Sequence, residues 1–220
     1  MTYALTLIDK QDGFEIVRDA VAAILAAECT AQQALATAAA KDPTLWTFNV
    51  YTERSAPWEI LQSASDTPVV NVWYDGSQFD KSKSTRSLQH QAEPTRINID
   101  CYASAISAES GEGHTSGDEN SARAVQRVFR LVRNILMADK YDQLGLPTLV
   151  SMRWPGSVIS FQPGSQDRPV KSVSAIRLVL EISHIETTEL PDEETLEIID
   201  IKFYHEPDGM VIAELEFEEE

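Results

Sequence analysis

The sequence predicts an α+β fold, a mostly antiparallel sheet flanked by two helices with an added C-terminal β-hairpin. Three observations carry that prediction. Residues 12–40 and 118–136 repeat apolar side chains at three- and four-residue intervals, the period of a half-buried helix. Several other stretches alternate apolar and polar residues one by one, as strands with one wet face do. Turn-forming dipeptides then separate pairs of those strands. The chain divides into a domain over residues 1–190 and a hairpin extension over residues 191–220.

The first helix is predicted over residues 12–40. Phe14, Val17, Val21 and Ile24 follow helical spacing, and Ile16, Ala20 and Leu25 widen the stripe. The alanine-rich continuation has high helix propensity and little bulk. It reads either as a plain exposed helix or as a close contact with a neighbouring helix, and the helix either runs through Cys29-Thr30 or breaks there. Asp42-Pro43 ends it, because the residue before proline is pushed out of the helical region. Residues 45–53 alternate, with Trp46, Phe48 and Val50 on one face, and predict a strand. Residues 55–59 turn the chain into a second strand at 68–74. Asp75-Gly76 then opens a polar stretch that ends at Pro94. That loop carries Lys81, Lys83 and Arg86, a basic patch in an acidic chain. It is a solvated hairpin tip or an inter-subunit arm, and its length favours the arm.

The third strand is predicted over residues 95–103, with Ile97, Ile99, Cys101 and Ala103 on one side. A Gly- and Ser-rich loop leads to the second helix, with Asp118 as its N-cap. Ala122, Val125, Val128, Phe129, Val132, Ile135 and Leu136 make its buried stripe, and Arg123, Arg127, Arg130 and Arg133 lie mostly opposite. Either the arginines form a solvated face or they dock an acidic surface on another copy or partner. Only 18 residues of the chain are Lys or Arg, and four fall here, which favours docking. Residues 149–154 and 157–162 predict two short strands around Pro155-Gly156. Residues 170–187 predict one long strand with Ile176, Leu178, Leu180 and Ile182 on one face. An acidic linker leads to a last pair of strands, 196–204 and 210–217, around Glu206-Pro-Asp-Gly209.

A chain of 220 residues with 43% hydrophobic residues can build a real core, which excludes disorder of the whole. The first residues lack a basic segment followed by an apolar run, so no secretory leader is expected. The longest apolar stretch, residues 21–27, is far too short to cross a bilayer. The expectation is therefore a soluble protein made in a cytoplasm, with Cys29 and Cys101 as buried thiols rather than a disulfide. The net charge of −17 argues against gripping phosphates, because nucleic-acid affinity rests on cations. It either keeps the protein soluble or keeps a surface from sticking to DNA.

The sequence has no nucleophile elbow, Walker loop or dinucleotide fingerprint. His90, His114, His184 and His205 are scattered without metal-ligand spacing. With 35 acids, a chance pair of carboxylates carries no specificity. No catalytic, cofactor-binding or metal-binding residue is assigned, and no enzyme activity is expected. His184 reads as a packed or edge histidine of the long strand.

The order of elements, together with Pro68-Val-Val-Asn-Val-Trp-Tyr, Thr95-Arg-Ile-Asn-Ile-Asp-Cys-Tyr-Ala and the helix that follows, resembles the tail terminator (tail-completion, minor tail U-like) proteins of tailed bacteriophages. The likeness covers residues 12–185 and rests on pattern rather than on a signature motif. It implies a structural virion protein of the head–tail neck, made in the host cytoplasm, that forms a ring, usually a hexamer. Its implied partners are itself, the tail tube protein, a head-side connector protein and, in a contractile tail, the sheath. DNA would pass through the lumen without specific binding, and no membrane is involved. The interface candidates are Lys81, Lys83, Arg86, Arg123, Arg127, Arg130 and Arg133. The rival expectations are a head-completion or connector protein of the same neck, and a small acidic cellular enzyme or binding domain.

Overall fold

A computed structural model describes residues 9–63, 66–78, 90–110, 113–163, 171–187, 201–205 and 210–215. Residues 11–188 form one compact unit. Its centre is a five-stranded sheet in the order β1-β2-β3-β7-β6. The strands are β1 (Asn49–Thr52), β2 (Val69–Ser77), β3 (His90–Ala105), β6 (Val150–Phe161) and β7 (Ser172–Thr187). β1 runs parallel to β2, and the other neighbours are antiparallel. The two long helices, α1 (Gly13–Ala38) and α3 (Gly117–Leu136), share one face of this sheet. A short helix, α2 (Glu59–Ser63), precedes β2, and a small hairpin, β4 (Ala108–Ser110) and β5 (Gly113–Thr115), precedes α3. The class foreseen, α+β with a mostly antiparallel sheet, is the class found.

The core follows from the two periodicities. Val17, Val21, Leu25 and Cys29 of α1 and Val125, Val128 and Val132 of α3 meet Val70, Val72, Ile97, Ile99, Cys101, Leu178, Leu180 and Ile182 of the sheet. α1 runs unbroken through Cys29-Thr30. Cys29 is buried and its sulfur accepts from the Phe48 N–H at 3.4 Å, tying the helix to the segment before β1. Both cysteines are free and buried. Glu15 reaches back to the Asp12 N–H at 3.0 Å and closes the start of the helix.

Several boundaries differ from expectation. Residues 45–46 belong to a 3-10 turn (Pro43–Trp46), because Pro43 suits a first helical position and the Asp42 side chain accepts from the Thr44 N–H at 3.0 Å. Only Asn49–Thr52 is strand. β2 runs past Asp75, which is absorbed as a bulge between Tyr74 and Gly76. β3 starts at His90, so Pro94 lies inside it. The Pro94 carbonyl accepts from the Gln78 N–H just past the end of β2. The missing proline N–H therefore points to the side where β2 has ended, and no bond to β7 is lost. β3 and β7 thus pair over sixteen residues, from His90 opposite Thr187 to Ala105 opposite Ser172.

α3 is capped by Ser116, not Asp118, which sits in the first turn with Glu119. Gly117 starts the helix because a Cβ there would lie 3.1 Å from the Ala105 carbonyl oxygen. The two short strands expected around Pro155-Gly156 are one strand, β6. β6 is the edge of the sheet, so Pro155 costs no second ladder, and a register shift between Pro155 and Ser157 accommodates Gly156. Arg153 of β6 is nearly buried and donates to the Tyr141 carbonyl at 2.5 Å and the Ala138 carbonyl at 3.0 Å, fixing the turn that leaves α3.

α1 is also joined to the 3-10 turn that follows α3 (Asp139–Tyr141) through Glu28, whose carboxylate accepts from Lys140 at 2.5 Å and from the Tyr141 hydroxyl at 2.6 Å. These bonds, from Lys140 first, hold the Glu28 carboxyl below its ordinary value. A depressed carboxyl stabilises the fold fully above the unfolded value and loses that contribution as pH falls through the folded one. Glu28→Gln is therefore expected to lower the urea midpoint at pH 7, with the difference from wild type shrinking below about pH 4. A difference that is constant with pH would show that the charge of Glu28 has no part in it.

The remaining described strands, β8 (Ile201–His205) and β9 (Met210–Leu215), pair antiparallel in a second unit made of residues 1–10 and 189–220. The turn residues 206–209 lie outside the described residues.

Candidate functional site

Two surfaces of the main unit stand out. The first was legible in the sequence. Arg123, Arg127, Arg130 and Arg133 step along α3 at intervals of four, three and three, so they share a face, and all four are exposed. The buried face of the helix, Val125, Val128 and Val132, holds the opposite side against the sheet. From Arg123 to Arg133 the row spans about 15 Å of helix. Arg123 pairs with Glu119 at 2.5 Å, an exposed contact within one helix and worth little. No carboxylate among the described residues lies within 4 Å of Arg127, Arg130 or Arg133. Three guanidinium groups on a rigid element are thus presented to solvent with their planar forks uncommitted. Lys81, Lys83 and Arg86 lie outside the described residues.

The second surface is the sheet face opposite the helices, and sequence reasoning missed it. Pairing places Asn71 of β2, Asp100 of β3 and Arg177 of β7 side by side, with Ile159 of β6 next in line. Asp100 is buried and takes a two-pronged bond from Arg177, at 2.6 and 2.9 Å. The same carboxylate accepts from the Trp73 indole N–H and the Tyr102 hydroxyl, each at 3.0 Å. The Arg177 guanidinium lies 4.8 Å from the Trp73 ring and 5.2 Å from the Phe161 ring. Tyr102 meets Phe161 edge-on with centroids 6.0 Å apart, and Trp58 flanks it. Asn71 is also buried, and its amide accepts from the Arg54 N–H at 3.1 Å and donates to the Arg54 carbonyl at 3.0 Å. That pins the chain leaving β1 over the sheet.

These side chains line a hollow of about 590 Å³, walled mainly by Trp58, Trp73, Tyr102, Phe161 and Pro163. Asp100 accepts four hydrogen bonds, three at Oδ2 and one at Oδ1, so the carboxylate is committed chiefly to this network. Burial, with Asp100 beside it, pushes the Tyr102 hydroxyl far up, and burial does the same to the Cys101 thiol on the other face. Both stay protonated and unreactive at neutral pH. Among the described residues no cluster of His, Cys, Asp and Glu is placed to hold a metal. His184 is buried in β7 opposite Val150 of β6, a packed histidine.

The sequence did contain one signal for this site. Asp100 and Arg177 are opposite charges inside the two longest alternating strands, at positions where a solvated face has no need of a fixed pair. Their meeting depended on register, which alternation alone does not supply.

No protein-family profile matches this chain, and no curated protein matches it. Among the described residues no helix is long and apolar enough to cross a membrane. The class defined by fold and surfaces is a two-layer α+β domain that presents a basic helix on one side and an aromatic hollow on the other.

Proposed function

We propose that this chain is a structural virion protein of a bacteriophage head–tail neck, forming a ring that terminates the tail tube and joins it to the head connector. The observation that carries the reading is the arginine row of α3. Isolated basic groups on a rigid helix, in a chain of net charge −17, are a surface made for an acidic partner. A closed ring needs two unlike surfaces on each copy, because its contacts are head-to-tail. The edge of the sheet supports the same reading. β6 is a twelve-residue edge strand with Met152, Val158 and Ile159 exposed, and a free strand edge with apolar side chains is a template for another chain. The overall acidity suits a conduit, since a negative wall repels phosphate and lets DNA slide.

The mechanism is assembly: the ring stops tube growth on one face and offers a docking surface on the other. The mass of the purified protein, alone and with tail tube, tests this. A multiple of the 24.5 kDa chain, seen as a ring with an axial hole and bound to the tube, is expected. A chain that stays solitary at every concentration and ignores the tube ends the reading. The aromatic hollow favours one other reading, a binding domain for a small or peptide ligand, which predicts a monomer with no affinity for tail components.

A further inference from the structure

The arginine row has a candidate counterpart in the same polypeptide. Residues 189–220 hold thirteen acids and a single lysine, −12 of the −17 total. The first acidic reach that follows the main unit is 189–197, Glu-Leu-Pro-Asp-Glu-Glu-Thr-Leu-Glu, with five carboxylates and no basic residue. The lengths agree as well. The row spans about 15 Å, and six extended residues such as 192–197 span about 17–20 Å. Pro191 fixes its own backbone in a form compatible with an extended chain. The four carboxylates of that span, Asp192, Glu193, Glu194 and Glu197, match the four guanidinium groups of the row in number and in reach. Guanidinium–carboxylate bonds are the strong, directional kind that fix register as well as attraction.

We infer that the acidic segment 189–197 of one copy docks along Arg123, Arg127, Arg130 and Arg133 of the next, as the head-to-tail contact that closes the ring. This rests on the ring reading above and names the partner of its basic surface. Each copy then carries one basic row and one acidic strap, the two unlike surfaces that a closed ring requires. The contact is electrostatic, so it loosens as salt shortens the range of the charges.

Two full-length charge reversals test it. Arg127→Glu/Arg130→Glu and Glu193→Lys/Glu194→Lys are made separately, and the assembly state of each is read by native mass measurement. Each alone is expected to raise the concentration needed for assembly by roughly 100-fold or more, as loss of close charge pairs at an interface does. The thermal melt of each monomer should be unchanged, since the reversed arginines lie on the solvent side. An equal mixture of the two variants is expected to regain the wild-type mass with alternating copies, because each reversed surface then meets its match on the other chain. A mixture that stays monomeric, or Glu193→Lys/Glu194→Lys assembling like wild type, overturns the assignment while leaving a wild-type ring in place. A wild-type chain that never assembles ends both readings.

Discussion

Asp100→Ala is expected to destabilise the fold by about 3 kcal/mol, a fall in melting temperature of about 6–12 °C for a chain of this size. The Asp100 side chain is 3% exposed, and the Arg177 side chain is 27% exposed between two aromatic rings. Removing the carboxylate leaves a guanidinium in that slot with no counter-charge and strips the Trp73 indole and the Tyr102 hydroxyl of their acceptor. The partial exposure of Arg177 lets water repay some of the loss, which sets the figure at the low end of what a broken buried pair costs. The pair itself need not be a large net stabiliser, because desolvating two charges offsets most of their attraction. Asp100→Ala/Arg177→Met is therefore expected to recover part of the loss, by removing the stranded charge and keeping an apolar body against Trp73 and Phe161. Urea unfolding of both variants checks this. A single variant within about 0.5 kcal/mol of wild type, the range of surface changes, would mean that the network is decorative.

Leu178→Ala is expected to cost about 2–5 kcal/mol, the range for emptying a buried leucine site. Leu178 is fully buried on the helix side of β7, opposite Ile99 of β3 and Val158 of β6. It belongs to the cluster that α1 and α3 close from above, so neighbouring side chains can collapse only partly into the space. Its chain neighbour Val179 points to the other face and is half-buried. Val179→Ala is expected to cost about 1 kcal/mol or less, for the loss of two partly covered methyl groups. The contrast between adjacent residues is the measurement that matters. Equal costs at 178 and 179 would contradict a sheet covered by helices on one face only.

Much of this architecture was legible because burial repeats with the backbone. Val17, Val21 and Leu25 mark the inner face of α1 at helical spacing, and Ile176, Leu178, Leu180 and Ile182 mark that of β7 at a spacing of two. The errors fall where a local signal met a tertiary constraint. Pro155-Gly156 carries a strong turn signal, yet the chain stays in β6 because an edge position tolerates both a missing donor and a bulge. Asp75-Gly76 likewise read as a loop opening and is a bulge in β2, held where the Tyr74 hydroxyl donates to Ser77 and Ser77 shares a 2.6 Å bond with Thr95. The alternation at Trp46 and Phe48 suggested strand, but Asp42-Pro43 caps a 3-10 turn there first.

The functional surfaces divide the same way. The arginine row needs only the geometry of one helix, so residue spacing sufficed to place Arg123, Arg127, Arg130 and Arg133 on a common face. What the amino-acid order determined by itself was everything governed by neighbours within a few residues: the two long helices, the alternating strands, the basic row and the concentration of acid after residue 189. Only the tertiary structure decided which strands became neighbours, and so brought Asp100 and Arg177, 77 positions apart, into one network over an aromatic hollow. The physical reason is that a side chain's face is fixed by local backbone period, whereas its partner across a sheet is fixed by a register that the whole core selects.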